Sequence, residues 1–156
     1  MMAEKRDARD EREVLVLRRN YPVAPAAVWR AWIDAAALRI WFGQSDAACW
    51  EADMDVRPGG RLRLVMQDAE GNRHEAHGVY REVVQDRRLV FAWSWKSGTD
   101  VAEAATDAVI TVNLKPIAMG TELEFTLDPV IDPRERDAWR ADFKRLGVLL
   151  QTERTT

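Results

Sequence analysis

The sequence predicts an α+β fold in which a curved antiparallel sheet wraps around one long C-terminal helix. Three features carry that expectation. The centre of the chain is a run of short alternating apolar and polar segments, punctuated by turns containing Gly and Pro. Two short helical patterns stand between the first strand and that run. Near the end, Trp139, Phe143, Leu146 and Leu150 form one apolar stripe at helical spacing. A single helix covers only part of a wide sheet's dry face. The sheet is therefore expected to bend around the helix and leave an apolar cavity between them.

The first strand and the two short helices are marked by their own residues. Val14 to Leu17 is apolar and partly β-branched, and opens a strand over residues 13–21. Pro22 and Pro25 end it, and Pro25 suits the first turn of a helix, where a missing N–H is harmless. Val28, Trp29 and Trp32 then share one helical face. Asp34 has the side chain of a cap before a second short helix carrying Leu38, Trp41 and Phe42, which Gly43 closes.

Strands are expected over 49–56, 61–67, 74–84, 89–95, 108–114 and 121–127, with residues 97–106 as a loop. Arg57-Pro58-Gly59-Gly60, Glu70-Gly71-Asn72, Asp86-Arg87-Arg88 and Met119-Gly120 supply turns. Leu62, Leu64 and Met66 oppose Arg61 and Arg63, and Leu123, Phe125 and Leu127 oppose Glu122, Glu124 and Thr126, as a sheet with one wet face requires. Bulges are expected at Arg57 to Gly60 and at Gly78. Asp132 caps the last helix, with Pro133 at its first position.

A length of 156 residues suits one domain, read here as 13–152 behind a flexible tail of residues 1–12. Apolar residues make up 47% and charged residues 31%, the balance of a globular chain rather than a disordered one. A formal net charge of -3 argues against nucleic acid, which calls for a concentrated basic face. No run approaches the roughly 20 apolar residues of a membrane-spanning helix, and the polar, charged start is no signal peptide. Cys49 is the only cysteine, so no internal disulfide forms, and the cytoplasm is the expected location.

With these residues in order, the chain resembles the activator of heat-shock-protein-90 ATPase homologue family of the helix-grip (START-like, SRPBCC) superfamily. The resemblance rests on Tyr21-Pro22-Val23-Ala24-Pro25 with Val28-Trp29-Arg30-Ala31-Trp32, then Trp41-Phe42-Gly43. Asp55-Val56-Arg57-Pro58-Gly59-Gly60, Gly78-Val79-Tyr80-Arg81-Glu82-Val83, Arg88-Leu89-Val90-Phe91-Ala92-Trp93 and Gly120-Thr121-Glu122-Leu123 continue it. Each motif is weak alone; their order and spacing from Tyr21 to Leu127 make the match specific. The family often has a Gly-Trp pair in the final helix, where this chain has Ala138-Trp139, and Gly147 interrupts the helix further along. The resemblance implies a helix-grip fold with a hydrophobic cavity and, for most bacterial-type members, no established enzymatic role. The additional domain of the eukaryotic co-chaperone that shares the family name is not expected here.

Several residue groups invite chemistry. Trp93 and Trp95 lie on one side of a strand with Leu89 and Phe91, and serve equally as core or as a platform for an apolar ligand. His74 and His77 are three apart on a strand, so their rings point to opposite faces, unlike a helical zinc pair; no metal site is expected. Glu51, Asp53 and Asp55 alternate with Trp50, Ala52 and Met54 as a solvated face does. No nucleophile elbow exists, Cys49 reads as a small packing residue, and Gly59-Gly60 is a hairpin turn rather than a phosphate loop.

The resulting expectation is a non-enzymatic binding protein, without cofactor, holding a hydrophobic small molecule or lipid-like ligand between sheet and C-terminal helix. Its cavity is expected to be lined by Trp41, Phe42, Trp50, Leu64, Met66, Trp93 and Trp95, with Leu114, Leu123, Phe125, Trp139 and Phe143, and His77 as a polar anchor. Two alternatives stay open: an enzyme of the cyclase or hydrolase type using the same cavity, and a stress- or chaperone-associated interaction protein. A homodimer is compatible with the sequence; a nucleic acid or membrane partner is not expected.

Overall fold

Among the described residues, alternating side chains and Gly-containing turns produce one seven-stranded sheet, in which every neighbouring pair is antiparallel. The computed structural model describes residues 13–43, 47–68, 70–97, 108–130 and 132–155. Strand β1 (Leu15–Tyr21) leads into helices α1 (Pro25–Ile33) and α2 (Ala35–Trp41). Strands β2 (Ala47–Met54), β3 (Arg61–Asp68), β4 (Arg73–Val84), β5 (Arg88–Ser97), β6 (Ala108–Ile117) and β7 (Gly120–Asp128) come next, then helix α3 (Glu135–Thr155). The sheet order is β1-β7-β6-β5-β4-β3-β2, so the first strand returns beside the last and the two short helices bridge the sheet's two edges. The tail of residues 1–12 and most of the expected loop over 97–106 fall outside the described residues.

Each helix boundary has a local cause. Pro25 opens α1, and the Asp34 carboxylate accepts a hydrogen bond from Ala36 N at the start of α2. At α3, Asp132 Oδ1 accepts from Arg134 N while Glu135 Oε1 accepts from Asp132 N, a reciprocal pair of the capping-box kind. The regular helix begins at Glu135, two residues beyond the expected Pro133, because the capping turn occupies the intervening residues.

The register puts the alternation to use. Leu17 faces Phe125, Val112 faces Phe125, and Leu114 faces Leu123, so one continuous concave face is apolar. Bulges occur between Cys49 and Glu51 and between Tyr80 and Glu82, not at the expected glycines. Gly78 pairs regularly with Leu62 and Trp93; what requires glycine there is close approach, since a Cβ would lie 2.3 Å from the Ala92 carbonyl oxygen. The Gly59-Gly60 turn is tied back to the sheet, where Gly59 N donates to Tyr80 O and Tyr80 N donates to Gly60 O.

Helix α3 lies across the concave face and packs against β1, α1 and α2. Gly147, which looks like an interruption in the sequence, faces Tyr21. The Tyr21 hydroxyl donates to Phe143 O, and a Cβ at residue 147 would sit 3.5 Å from the tyrosine ring, an ordinary contact. Gly147→Ala is therefore expected to stabilise the protein by about 0.5–1 kcal/mol through helix propensity. A thermal melt should show a rise of roughly 1–4 °C; a fall of that size would show that Tyr21 cannot yield. Among the described residues, no helix is long and apolar enough to cross a membrane.

Candidate ligand-binding site

The concave face and the inner sides of the three helices meet in a cluster of aromatic rings. α1 contributes Trp32, the α2 exit contributes Trp41 and Phe42, β5 contributes Phe91, Trp93 and Trp95, and α3 contributes Trp139 and Phe143. Trp139 sits near the middle, with its ring centroid 4.5 Å from Phe125, 5.3 Å from Phe42 and 6.0 Å from Trp93. It stacks on Trp32 at 6.5 Å with the planes 14° apart. Such offset and edge contacts each add about 0.5–1.5 kcal/mol beyond the area they bury. The distance between α3 and the β3–β5 part of the sheet is thus spanned by rings.

A void of about 20 Å³ remains among them, bounded by Trp32, Leu38, Phe42, Met54, Leu62, Leu64, Tyr80, Leu89, Phe91, Trp93 and Trp139. That is room for one water-sized body, far below the roughly 300–1,000 Å³ of a ligand pocket. The described lining contains no carboxylate, imidazole or thiol. Its polar side-chain groups are indole N–H donors and the Tyr80 phenol, which can donate or accept and whose ionisation burial pushes well above its ordinary range. Trp41 Nε1 donates to Ala31 O at 2.9 Å, closing the end of α1, whereas the buried Nε1 atoms of Trp32 and Trp93 have no hydrogen-bond partner among the described residues.

The expected lining residues divide into several groups. Phe42, Leu64, Trp93 and Trp139 border the void. Trp41, Met66, Leu114, Leu123, Phe125 and Phe143 belong to the same buried cluster but lie off the void, and Trp95 is half-buried, stacked against Phe42. The Trp50 side chain lies outside the described residues. His77 is a correction. It points to the opposite, convex face, half-exposed, with Nε2 at 3.0 Å from Glu75 Oε1, because it shares strand parity with Glu75 and pairs with Arg63. There desolvation pushes the Glu75 carboxyl up, but the His77 hydrogen bond and the charges of Arg63, His77 and Arg73 hold it below its usual range.

Glu51, Asp53 and Asp55 are exposed. Among the described residues, no group of three or more potential ligand side chains could hold a metal ion. Lining residues that the sequence did not assign to the cavity are Trp32, Leu38, Met54, Leu62, Tyr80, Leu89 and Phe91. Parity with Leu64 and Trp93 carried the signal for Leu62, Leu89 and Phe91.

A polar latch holds α3 against the α2 exit. Arg145 donates to Trp41 O, to Gly43 O and to the carboxylate of Asp142, which also accepts from Gly43 N at 3.3 Å. Asp142 is 3% exposed, and this desolvation outweighs Arg145 and the Gly43 bond, pushing its carboxyl up to about 8. The folded state then binds more protons than the unfolded chain from about pH 4 to about pH 8, so this group makes stability fall as pH rises through that window. The expected slope is at most about 1.4 kcal/mol per pH unit. Asp142→Asn, whose amide oxygen still accepts from Gly43 and Arg145, should remove it. Urea unfolding of both proteins at a series of pH values checks this; parallel curves would refute it.

A curved antiparallel sheet gripping a C-terminal helix over an apolar centre defines a ligand-binding-type domain of the helix-grip class. The comparisons place the chain within that class. Residues 22–150 match the family model described as Activator of Hsp90 ATPase homolog 1-like protein, and the chain belongs to this family, within the SRPBCC superfamily. No curated protein matches it. Among solved structures, protein CV1439 from Chromobacterium violaceum is 26% identical with a TM-score of 0.78, covering 88% of this chain and 96% of its own. Protein NE0264 from Nitrosomonas europaea is 26% identical with a TM-score of 0.75, covering 92% and 97%. The AHSA1 protein of Silicibacter pomeroyi shares the fold at 23% identity and a TM-score of 0.78, covering 90% and 99%.

Proposed function

We propose that the domain binds a hydrophobic small molecule between the sheet and α3, in the space its own aromatic rings fill in the free protein. One observation carries the reading: α3 approaches β5 through the interleaved rings of Trp93 and Trp139, so the frame is wide enough for a ring-sized guest. The remaining void is too small for such a guest. Binding therefore requires indole side chains to change rotamer, an induced opening whose cost the ligand's buried apolar area offsets at about 25 cal/mol per Å². Trp32, Trp93 and Trp139 all border the opening, so their fluorescence reports it directly.

Titrating the protein with toluene, decalin and adamantane is expected to give a saturable change in tryptophan emission with at least one of them. A matching rise in melting temperature should accompany it, since a ligand that binds only the folded state stabilises it. Unchanged emission and unchanged melting with all three would overturn the reading.

A further inference from the structure

We propose that the Nε1–H groups of Trp32 and Trp93 are the recognition groups of this site, and that its ligand is a neutral apolar molecule bearing a hydrogen-bond-accepting oxygen, a carbonyl or an ether. The inference rests on the binding reading above and narrows it to a ligand class. Trp32 and Trp93 are 5% and 3% exposed, both border the void, and neither buried indole nitrogen has a partner among the described residues. An unpaired buried donor is costly, so two of them on residues that border one void are a standing demand for acceptors. Trp41 provides the contrast within the same cluster, because its Nε1 is satisfied by the Ala31 carbonyl.

The chemistry of the wall defines the guest. Indole is a donor only, so the complementary group is an acceptor. No charged side chain is among the described lining residues, so a carboxylate, phosphate or ammonium group would be buried without a counter-charge at prohibitive cost. The Tyr80 hydroxyl stays protonated, leaving the wall neutral. Leu62, Leu64, Leu89 and Phe91 supply the remaining surface, which favours a hydrocarbon body. The void itself, about 20 Å³, takes an oxygen-sized group without displacement, while the ligand's body replaces ring contacts.

A matched pair of probes tests this on the full chain labelled with ¹⁵N at the indoles. 2-Adamantanone and 2-methyleneadamantane share a shape, and only the ketone offers an acceptor. The ketone is expected to bind at least tenfold more tightly. It should also move the indole proton resonances of Trp32 and Trp93 downfield while that of Trp41 stays in place. Trp32→Phe and Trp93→Phe assign the signals; if either fails to fold, triple-resonance assignment of the unaltered chain replaces it. Equal or tighter binding of the alkene, or ketone binding without those shifts, overturns the inference while leaving the binding reading standing. Binding of neither probe, together with a silent hydrocarbon titration, overturns both.

Discussion

Gly120→Ala is expected to destabilise the protein by about 3 kcal/mol or more, within the range of severe backbone substitutions. Gly120 opens β7 with φ +148°, a conformation that L side chains rarely adopt, and a Cβ there would lie 2.0 Å from the Tyr21 carbonyl oxygen and 2.8 Å from Pro22 Cα. Both neighbours are backbone, so no side chain can swing aside. The contact lies where β1 hands over to α1, and the next residue, Thr121, is buried with its hydroxyl donating to Val23 O at 2.7 Å. Relieving the clash means moving β7 away from β1 and losing that bond as well. Gly59→Ala is the control: its φ is +87°, but a Cβ would meet nothing within 4 Å, so it incurs only the left-handed strain of about 1–2 kcal/mol. At roughly 2–4 °C per kcal/mol for a chain of this size, the melting points of the two variants should differ by several degrees. Equal losses in both would show that φ alone matters and that the hairpin is free to move.

Gly120 also shows what kind of information the chain carries openly. A Met119-Gly120 turn between two alternating strands is readable, and so is the direction of every side chain in β7, because a period of two leaves no choice once one face is apolar. The caps at Asp34 and Asp132 are readable for the same local reason. His77 is misplaced by any appeal to what a cavity needs. Its partner by parity, Glu75, already marks the convex face, and the flanking Ala76 and Gly78 mark the concave one. The bulge before Glu82 is invisible, since nothing in Tyr80-Arg81-Glu82 distinguishes an extra residue from a regular one. The size of the void is invisible for a deeper reason. It depends on how indole rotamers from separate elements interlock, a tertiary property that periodicity does not encode.

That interlocking makes Trp139→Ala the most informative change at the site. The ring touches Trp32, Phe42, Trp93, Phe125 and Phe143, so truncation removes the centre of the cluster and is expected to cost about 3–5 kcal/mol. The fate of the emptied space depends on the frame. If the rings alone held α3 at its distance, the helix would settle onto the sheet and the space would close. The backbone anchors argue otherwise: Tyr21 binds the Phe143 carbonyl, and Arg145 binds the carbonyls of Trp41 and Gly43, all independently of Trp139. The variant should therefore keep an apolar hole of ring size, and such holes stay dry and admit benzene-like guests. Added indole is expected to refill it and stabilise the variant in proportion to ln(1 + [L]/Kd), by about 2.7 kcal/mol at a hundredfold excess over Kd, with a matching rise in melting temperature. Calorimetric melts of the variant across an indole series measure this. A melting temperature indifferent to indole would mean the frame collapses without its central ring, and would remove the architectural support for a ligand in this space.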